Sequence, residues 1–335
     1  MIKVAINGFG RIGRIAFRQM ITTTDFDIVA VNSLGSVPEE FAYLLKYDSV
    51  HGTFHPDEIS YNDEGIVISN KKVIKVFDEK DPEKLPWEEL GIDLVLECSG
   101  AFTSYEGAMK HIKAGAKKVL ISAPGKDEMP TIVYSVNDNV LTSDMQVVSA
   151  ASCTTNCLAP VLNVIENNIG IEKGVMTTVH AYTSDQTILD NTHKKGINSR
   201  RGRACFENII PASTGAAKAI GLVIPSLKGK LDGFALRVPV ADGSVVDVTL
   251  ELKRNVTIDE INYLFKNNQS ETLKITMDPV VSKDVVGTTY GGVVDGLSTM
   301  LVESDGKQLL KIVAWYDNEY GYTAQMLRTA KRMFM

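Results

Sequence analysis

The segment Lys3–Asn7 (KVAIN) is short and β-rich, runs straight into Gly8, Gly10 and Gly13, and is followed from Arg11 by a helical pattern with Ile12, Ile15, Ala16 and Met20 on one face. A strand, a loop of G-x-G-x-x-G spacing and a helix, in that order, leave few folds open to the N-terminal half. The first glycine permits the tight turn, the second lets backbone approach a pyrophosphate, and the third lets the helix pack close to the sheet. The helix N-terminus then presents amide N–H groups and the positive end of its dipole to the phosphates. The same glycines can form a turn that holds nothing; what favours a dinucleotide is the second strand, Asp27–Asn32 (DIVAVN), which completes a βαβ unit. Such a unit places an acidic residue about 20 positions further on, against the ribose 2′-hydroxyl. Here the strand ends in Val31-Asn32-Ser33. An aspartate would hold the hydroxyl and repel a 2′-phosphate, and a serine does neither strongly. The expected cofactor is therefore NAD or NADP. The alternative is that Ser33 merely ends a strand and NAD binds through other contacts.

Further apolar strands are expected at Leu94–Glu97, Val119–Ser122, Ile132–Tyr134 and Val147–Ser149, with a helix over Tyr105–Ala114 between the first two. Strands alternating with helices imply an α/β fold with a doubly wound, mostly parallel Rossmann sheet. After about residue 150 the texture changes. A helical pattern, Thr154–Asn168, precedes longer period-two runs at Val175–Tyr182, Gly233–Val240, Val245–Leu252 and Leu309–Trp315. These predict an α+β domain with a mostly antiparallel sheet. The amphipathic Tyr320–Phe334 segment reads as a closing helix. The division expected is a cofactor domain over residues 1–152, completed by the helix over 319–335, and a catalytic domain over 153–318.

Two domains suit 335 residues, and 44% hydrophobic with 23% charged residues is the balance of an ordinary globular chain. A net charge of -6 argues against nucleic acid as a partner, whose binding footprint is basic. No apolar run approaches the roughly 20 residues that span a bilayer, so no membrane partner is expected. The N-terminus lacks a signal-peptide pattern. Four cysteines in this length are too sparse for a disulfide framework. A cytoplasmic protein with reduced thiols follows. No metal site is expected either, because Cys153 and Cys157 do not have CxxC spacing and no histidine cluster accompanies them.

Of the cysteines, Cys153 has the best claim to reactivity. It stands where a strand gives way to a helix, and a thiol at a helix N-terminus gains thiolate stability from the dipole. Cys157 lies one turn deeper on the same face and reads as buried and inert. A catalytic thiol needs a base, and among five histidines His180 ends an apolar strand and leads into Ala181-Tyr182-Thr183. A lone histidine at a strand end is equally a structural residue on this pattern alone.

The strings NGFGRIGR, KYDSVHG, SCTTNC, HAYT, RRGRA, NIIPASTGAAKA, ALRVPV and WYDNEYGY, in this order and spacing, closely resemble the phosphorylating glyceraldehyde-3-phosphate dehydrogenase family, from Lys3 to the final helix. The resemblance implies an oxidoreductase that converts glyceraldehyde 3-phosphate, inorganic phosphate and NAD(P)+ to 1,3-bisphosphoglycerate and NAD(P)H, a step of glycolysis and gluconeogenesis. Cys153 corresponds to the nucleophile that forms a hemithioacetal and then a thioester, and His180 to the base. Ser152, Thr154, Thr183, Arg201, Thr214, Gly215 and Arg237 correspond to the donors of two anion sites, for the substrate phosphate and the attacking phosphate. Asp185, which cannot donate to phosphate, corresponds to a residue that orients its neighbours. The cofactor contacts implied are Asn7, Gly8, Gly10, Arg11, Ile12, Gly13, Ser33, Lys80 through its backbone, Ser122, Thr192, Asn318 at the nicotinamide carboxamide, and Tyr322. The basic cluster Lys194, Lys195, Arg200, Arg201 and Arg203 corresponds to an S-shaped loop packed near the neighbouring subunit's cofactor, in a homotetramer.

The chain departs from the family in four places. Ser33 replaces the ribose-binding acid. Asn191-Thr192 stands before His193 where NAD-specific members commonly have Leu-Pro, and two polar residues can donate to a 2′-phosphate that an apolar pair excludes. The His193–Arg203 loop is slightly longer than usual, and Ala150 stands in place of an asparagine. Two other readings share many of these motifs. One is erythrose-4-phosphate dehydrogenase, which HAYT and PASTGAAK oppose. The other is a non-catalytic NAD-binding protein on the same fold, which the intact Cys153 and His180 oppose.

Overall fold

The computed structural model describes residues 1–35 and 37–335, and the chain divides into two compact units. The first comprises Met1–Ile132, Asp138–Ala151 and Met326–Met335; the second comprises Val133–Asn137 and Ser152–Gln325.

In the first unit the chain runs β1 (Ile2–Asn7), α1 (Arg11–Met20), β2 (Phe26–Asn32), α2 (Pro38–Lys46), β3 (Tyr47–Asp48), β4 (Gly52–Thr53), β5 (Ile59–Asn62), β6 (Gly65–Ile68), β7 (Lys72–Phe77), α3 (Trp87–Leu90), β8 (Leu94–Glu97), α4 (Tyr105–Lys113), β9 (Lys118–Ile121) and β10 (Val147–Ser149). The main sheet has the order β10-β9-β8-β1-β2-β7-β6-β5. It is parallel from β10 to β7, and β7, β6 and β5 form an antiparallel edge. The strands are apolar on both faces because both are covered. Val4, Ile6, Leu96, Leu120 and Val148 join one core with Phe17, Met20, Phe41 and Leu45 of α1 and α2 and with Met326, Ala330 and Met333. Ala5, Val95, Val119, Ile121 and Val147 join the other with Trp87 of α3 and Ala108 of α4. Alternate residues of one strand thus feed opposite cores, as a doubly wound sheet requires.

The second unit runs α5 (Cys153–Asn168), β11 (Ile171–Ala181), β12 (Ile210–Ser213), α6 (Ala216–Val223), β13 (Leu231–Val238), β14 (Ser244–Leu252), α7 (Ile258–Asn267), β15 (Leu273–Thr276), β16 (Gly292–Asp295), β17 (Met300–Ser304) and β18 (Lys307–Tyr316), and α8 (Tyr320–Arg332) begins in it. Its sheet order is β12-β13-β11-β14-β18-β16-β15, with β17 beside β18. Most neighbours are antiparallel; β11 with β13 and β15 with β16 are the parallel pairs. On β14 and β18 the period-two pattern buries Val246, Val248, Leu250, Leu310, Ile312, Ala314 and Tyr316, and α5 and α6 pack on this sheet. Both sheet types agree with the sequence reading.

One expected strand is absent. Ile132–Tyr134 is not extended pairing: only an isolated bridge joins Thr131 to Ser149. The Val133 amide donates to the Asn137 side chain at 2.8 Å, and Val133 O accepts from Val136 N and Asn137 N. A local side-chain bond and turn replace the ladder there. Among the described residues no helix is long and apolar enough to cross a membrane.

Candidate active site

The last residue of β10, Ser149, is followed by Ala150 and Ala151, and Ala151 takes a left-handed conformation at φ 56°. The next residue, Ser152, is the N-cap of α5: its hydroxyl accepts from Thr155 N at 3.1 Å. Cys153 therefore occupies the first helical position, as its place in the sequence predicts. Cys157, one turn on, is fully buried under β18 near the carbonyls of Ala314 and Trp315, and burial pushes its thiol well above the ordinary range.

His180 reaches Cys153 from the end of β11. Its Nε2 lies 3.4 Å from Cys153 Sγ, and its Nδ1 lies 2.7 Å from Ala181 O and 2.8 Å from an Nη of Arg237. β11 and β13 pair in parallel with His180 opposite Arg237, so sheet register alone puts imidazole beside guanidinium. Arg237 Nη1 also donates to Ala181 O at 3.0 Å and to Thr183 Oγ1 at 3.3 Å. Thr183 donates to Asp185, and Arg201 pairs with the other oxygen of the same carboxylate. Cys153, His180, Arg237, Thr183, Asp185 and Arg201 are thus linked in one connected group. Arg237 Nε is buried without a hydrogen-bond partner, so this group holds a spare cationic donor suited to an oxyanion.

Burial pushes the Cys153 thiol up, and the opposing pull of Arg237 and of bonds to Thr154 does not overcome it. Desolvation thus works against the help expected from the helix terminus. Burial, reinforced by the Arg237 charge, drives His180 down to about 3, and its ring is neutral at neutral pH. Two tautomers fit the neighbours. With Nδ1–H donating to Ala181 O, the Nε2 lone pair faces the thiol and can take its proton. With Nδ1 accepting from Arg237, Nε2–H faces the sulfur and can hold a thiolate. Burial also pushes Asp185 up, but the bonds from Thr183 and Arg201 outweigh it and hold the carboxyl below its usual range.

Tyr316 escaped the sequence reading. Its hydroxyl bridges Thr154 Oγ1 at 2.9 Å and Thr178 Oγ1 at 2.8 Å, and its ring meets His180 edge-on at 5.9 Å between centroids. It ends β18 in register with Ser244, which accepts from Ala181 N at 3.0 Å and donates to Asn318 Oδ1 at 2.5 Å. The available signal was alternation: Tyr316 falls on the inward face of a strand whose following loop carries Asn318. Thr214 and Gly215 sit at the turn from β12 into α6, where Thr214 Oγ1 accepts from Ala216 N at 3.1 Å; among the described residues no hydrogen bond ties them to the Cys153 group. Thr192 is exposed beside Asn191 on the basic loop, where Asn191, Thr192, His193, Arg200 and Arg203 line a hollow of about 590 Å³. Tyr322 is buried in α8.

The glycine loop of the first unit has the expected shape. Gly8 has φ 95°, and a Cβ there would lie 2.4 Å from Ser99 N; one at Gly13 would lie 2.2 Å from Gly8 O. A Cβ at Gly10 would meet nothing within 4 Å, so the space before α1 is open, and no side chain caps that helix. The residues present therefore fit a pyrophosphate. Asn7 and Asn32 end β1 and β2 side by side and are bonded at 2.7 Å. Ile12 follows Arg11 in α1, whose guanidinium is committed to Asp48. Ser33 is half-buried with its amide on Phe77 O, Lys80 is exposed, and Ser122 follows β9 with its amide on Glu97 O.

Comparison with known proteins agrees across both units. The NAD binding domain model of glyceraldehyde 3-phosphate dehydrogenase matches residues 2–105, and the C-terminal domain model matches residues 152–318. The glyceraldehyde-3-phosphate dehydrogenase of Clostridium pasteurianum is 54% identical over 98% of this chain and 97% of its own length. That of Clostridium acetobutylicum is 53% identical over the same shares, and that of Lactobacillus delbrueckii subsp. bulgaricus is 50% identical over 98% and 97%.

Proposed function

The chain belongs to the glyceraldehyde-3-phosphate dehydrogenase family, and from that premise we propose how its own residues carry out the oxidation. It is an oxidoreductase of glyceraldehyde 3-phosphate that uses a nicotinamide cofactor, and the names of its relatives do not favour the four-carbon aldehyde. The observation that carries the mechanism is the 3.4 Å approach of His180 Nε2 to Cys153 Sγ inside a cationic pocket.

Neutral His180 takes the thiol proton as Cys153 attacks the aldehyde carbon, and returns it to the oxyanion to give the hemithioacetal. The N-terminal amides of α5 lie where that oxyanion forms. His180 then takes the hydroxyl proton as a hydride leaves carbon, and Cys153 is left as a thioester. The chemistry the bound cofactor supplies is acceptance of that hydride. Phosphate held by donors from Arg237, Thr183, Ser152 and Thr154, with Arg201 oriented through Asp185, attacks the thioester, and the protonated His180 returns its proton to the departing sulfur. The products are an acyl phosphate and the resting thiol. Thr214 and Gly215 complete the anion sites.

The cofactor domain is taken as residues 1–152 with 319–335, and the catalytic domain as 153–318. Asn7, Gly8, Gly10, Arg11, Ile12, Gly13, Ser33, Lys80 and Ser122 hold the dinucleotide, with Asn318 and Tyr322 at the nicotinamide. In a homotetramer Thr192 serves the cofactor of the adjacent copy. Both NAD and NADP are accepted. Supporting this are Ser33 in place of an acid and the donors of Asn191, Thr192 and Arg200 beside the loop hollow, where Arg203 is paired with Asp190. A free catalytic thiol suits a reducing cytoplasm. The test is kcat/KM for the two cofactors with glyceraldehyde 3-phosphate and phosphate. NADP activity below roughly a hundredth of the NAD value overturns dual use, since a repelled 2′-phosphate gives a discrimination of that size.

A further inference from the structure

The carboxyl end of the first unit's sheet contains a buried polar chain that the glycine motif does not require. β1, β2 and β8 end in register, with Asn7 between Asn32 and Glu97. Glu97 is 1% exposed and His111 is 0%. A carboxylate at that depth persists only where donors surround it, and here they do. Asn7 Nδ2 donates to Glu97 Oε2 at 2.5 Å, Ser99 N donates to Oε1 at 2.8 Å, and the Ser99 hydroxyl also donates to Oε1. His111 Nε2 lies 3.1 Å from Oε2. The indole N–H of Trp87 can only donate, and it reaches His111 Nδ1 at 3.0 Å, so His111 carries its proton on Nε2 and donates it to Glu97.

This acceptor sets the direction of every bond beyond it. Asn7 must turn its NH2 toward Glu97, which leaves its oxygen for Asn32 Nδ2 at 2.7 Å. Asn32 then turns its oxygen to Glu79 N at 2.9 Å and shares its NH2 with Glu79 O at 2.9 Å. The chain therefore ends on the segment before Lys80, beside the edge where Ser33 leaves β2. Glu97 also grips both sides of the glycine turn. Asn7 precedes Gly8, and Ser99 is the backbone against which Gly8 is packed so closely that a Cβ would lie 2.4 Å away.

We propose that Glu97 is a positioning residue for the cofactor: its carboxylate, oriented by His111 and Trp87, fixes the Gly8 turn and the Asn32–Glu79 edge that receive the ADP-ribose half of the dinucleotide. This rests on the reading of the unit as a dinucleotide site. It assigns Glu97 no part in the thiol chemistry, which belongs to the other unit.

The test is Glu97→Gln, which keeps the shape but places an amide among donors. ADP-ribose is titrated calorimetrically into the full-length protein, and the rate of Cys153 alkylation and the split of kcat from the cofactor KM are measured beside it. Loss of a charge-assisted hydrogen-bond set predicts ADP-ribose affinity and the cofactor KM both worsened about tenfold or more, with kcat and alkylation within about twofold. Unchanged ADP-ribose affinity overturns the proposal. So does a parallel fall in alkylation and kcat, which marks general loosening of the fold. Should Glu97→Gln fail to fold, His111→Phe, which removes one donor from a helix away from the glycine turn, must weaken ADP-ribose binding about threefold or more; parental affinity there overturns it equally. If the parent itself binds ADP-ribose but does not turn over with either cofactor, the functional reading fails and this one stands.

Discussion

Replacing His180 by glutamine removes the base while keeping a nitrogen within reach of the sulfur, and the structure sets two separate magnitudes for the result. The amide cannot take a proton. Acylation of Cys153 by glyceraldehyde 3-phosphate should then slow by about 10²- to 10⁴-fold, the usual range for loss of a positioned general base. Stability responds in the other direction at low pH. The folded-state value of His180 is about 3 against about 6.5 when unfolded. Between those values the unfolded chain binds a proton that the folded chain does not, so parental stability falls as pH drops below 6.5 and goes on falling toward 3. At up to about 1.4 kcal/mol per pH unit, the parent should lose about 3 kcal/mol between pH 7 and pH 4.5 through this residue alone. His180→Gln should lack that loss. Single-turnover quench-flow at pH 7 measures acylation, and denaturant titrations at pH 7 and 4.5 measure stability. A variant that acylates within tenfold of the parent, or whose acid loss equals the parent's, refutes the assignment of a buried neutral base.

Three further perturbations follow from the same geometry. Tyr316→Phe leaves the Thr154 and Thr178 hydroxyls without the bridging phenol, and should cost about 1–3 kcal/mol in denaturant unfolding while slowing alkylation of Cys153; parental stability would contradict the buried bridge. Gly8→Ala puts a Cβ 2.4 Å from Ser99 N at φ 95°, and should abolish ADP-ribose binding in calorimetry, whereas near-parental affinity would show that the turn yields. Ser33→Asp should lower kcat/KM for NADP relative to NAD by about tenfold or more, because a carboxylate beside the adenosine ribose repels a 2′-phosphate; an unchanged ratio removes Ser33 from cofactor choice.

The sequence carried the fold wherever a local pattern had a single physical outcome. Glycine spacing after a strand defined the β1–α1 turn, and alternation on β14 and β18 separated the second sheet from the first. It misread Ile132–Tyr134 because apolar character does not reveal that Asn137 takes the Val133 amide. The position of Cys153 at a helix start was legible. Its pairing with His180 depends on β11 ending beside α5, a long-range contact with no local signature. At Cys153 the helix terminus is visible in sequence and the desolvation that opposes it is not. Tyr316 and Glu97 went unremarked for a shared reason: each looks like an ordinary strand end, and its meaning lies in partners on other strands, Thr178 and Ser244 for one and Asn7 and Ser99 for the other.

The most direct measurement of the central claim is the mass of the protein after one turnover without phosphate. With glyceraldehyde 3-phosphate and NAD or NADP, the account predicts a glycerate-phosphate adduct carried on Cys153 as a thioester, absent from Cys153→Ser and cleared by added inorganic phosphate with release of acyl phosphate. Equal product formation by Cys153→Ser, or an adduct on Cys98, Cys157 or Cys205 in place of Cys153, would contradict it.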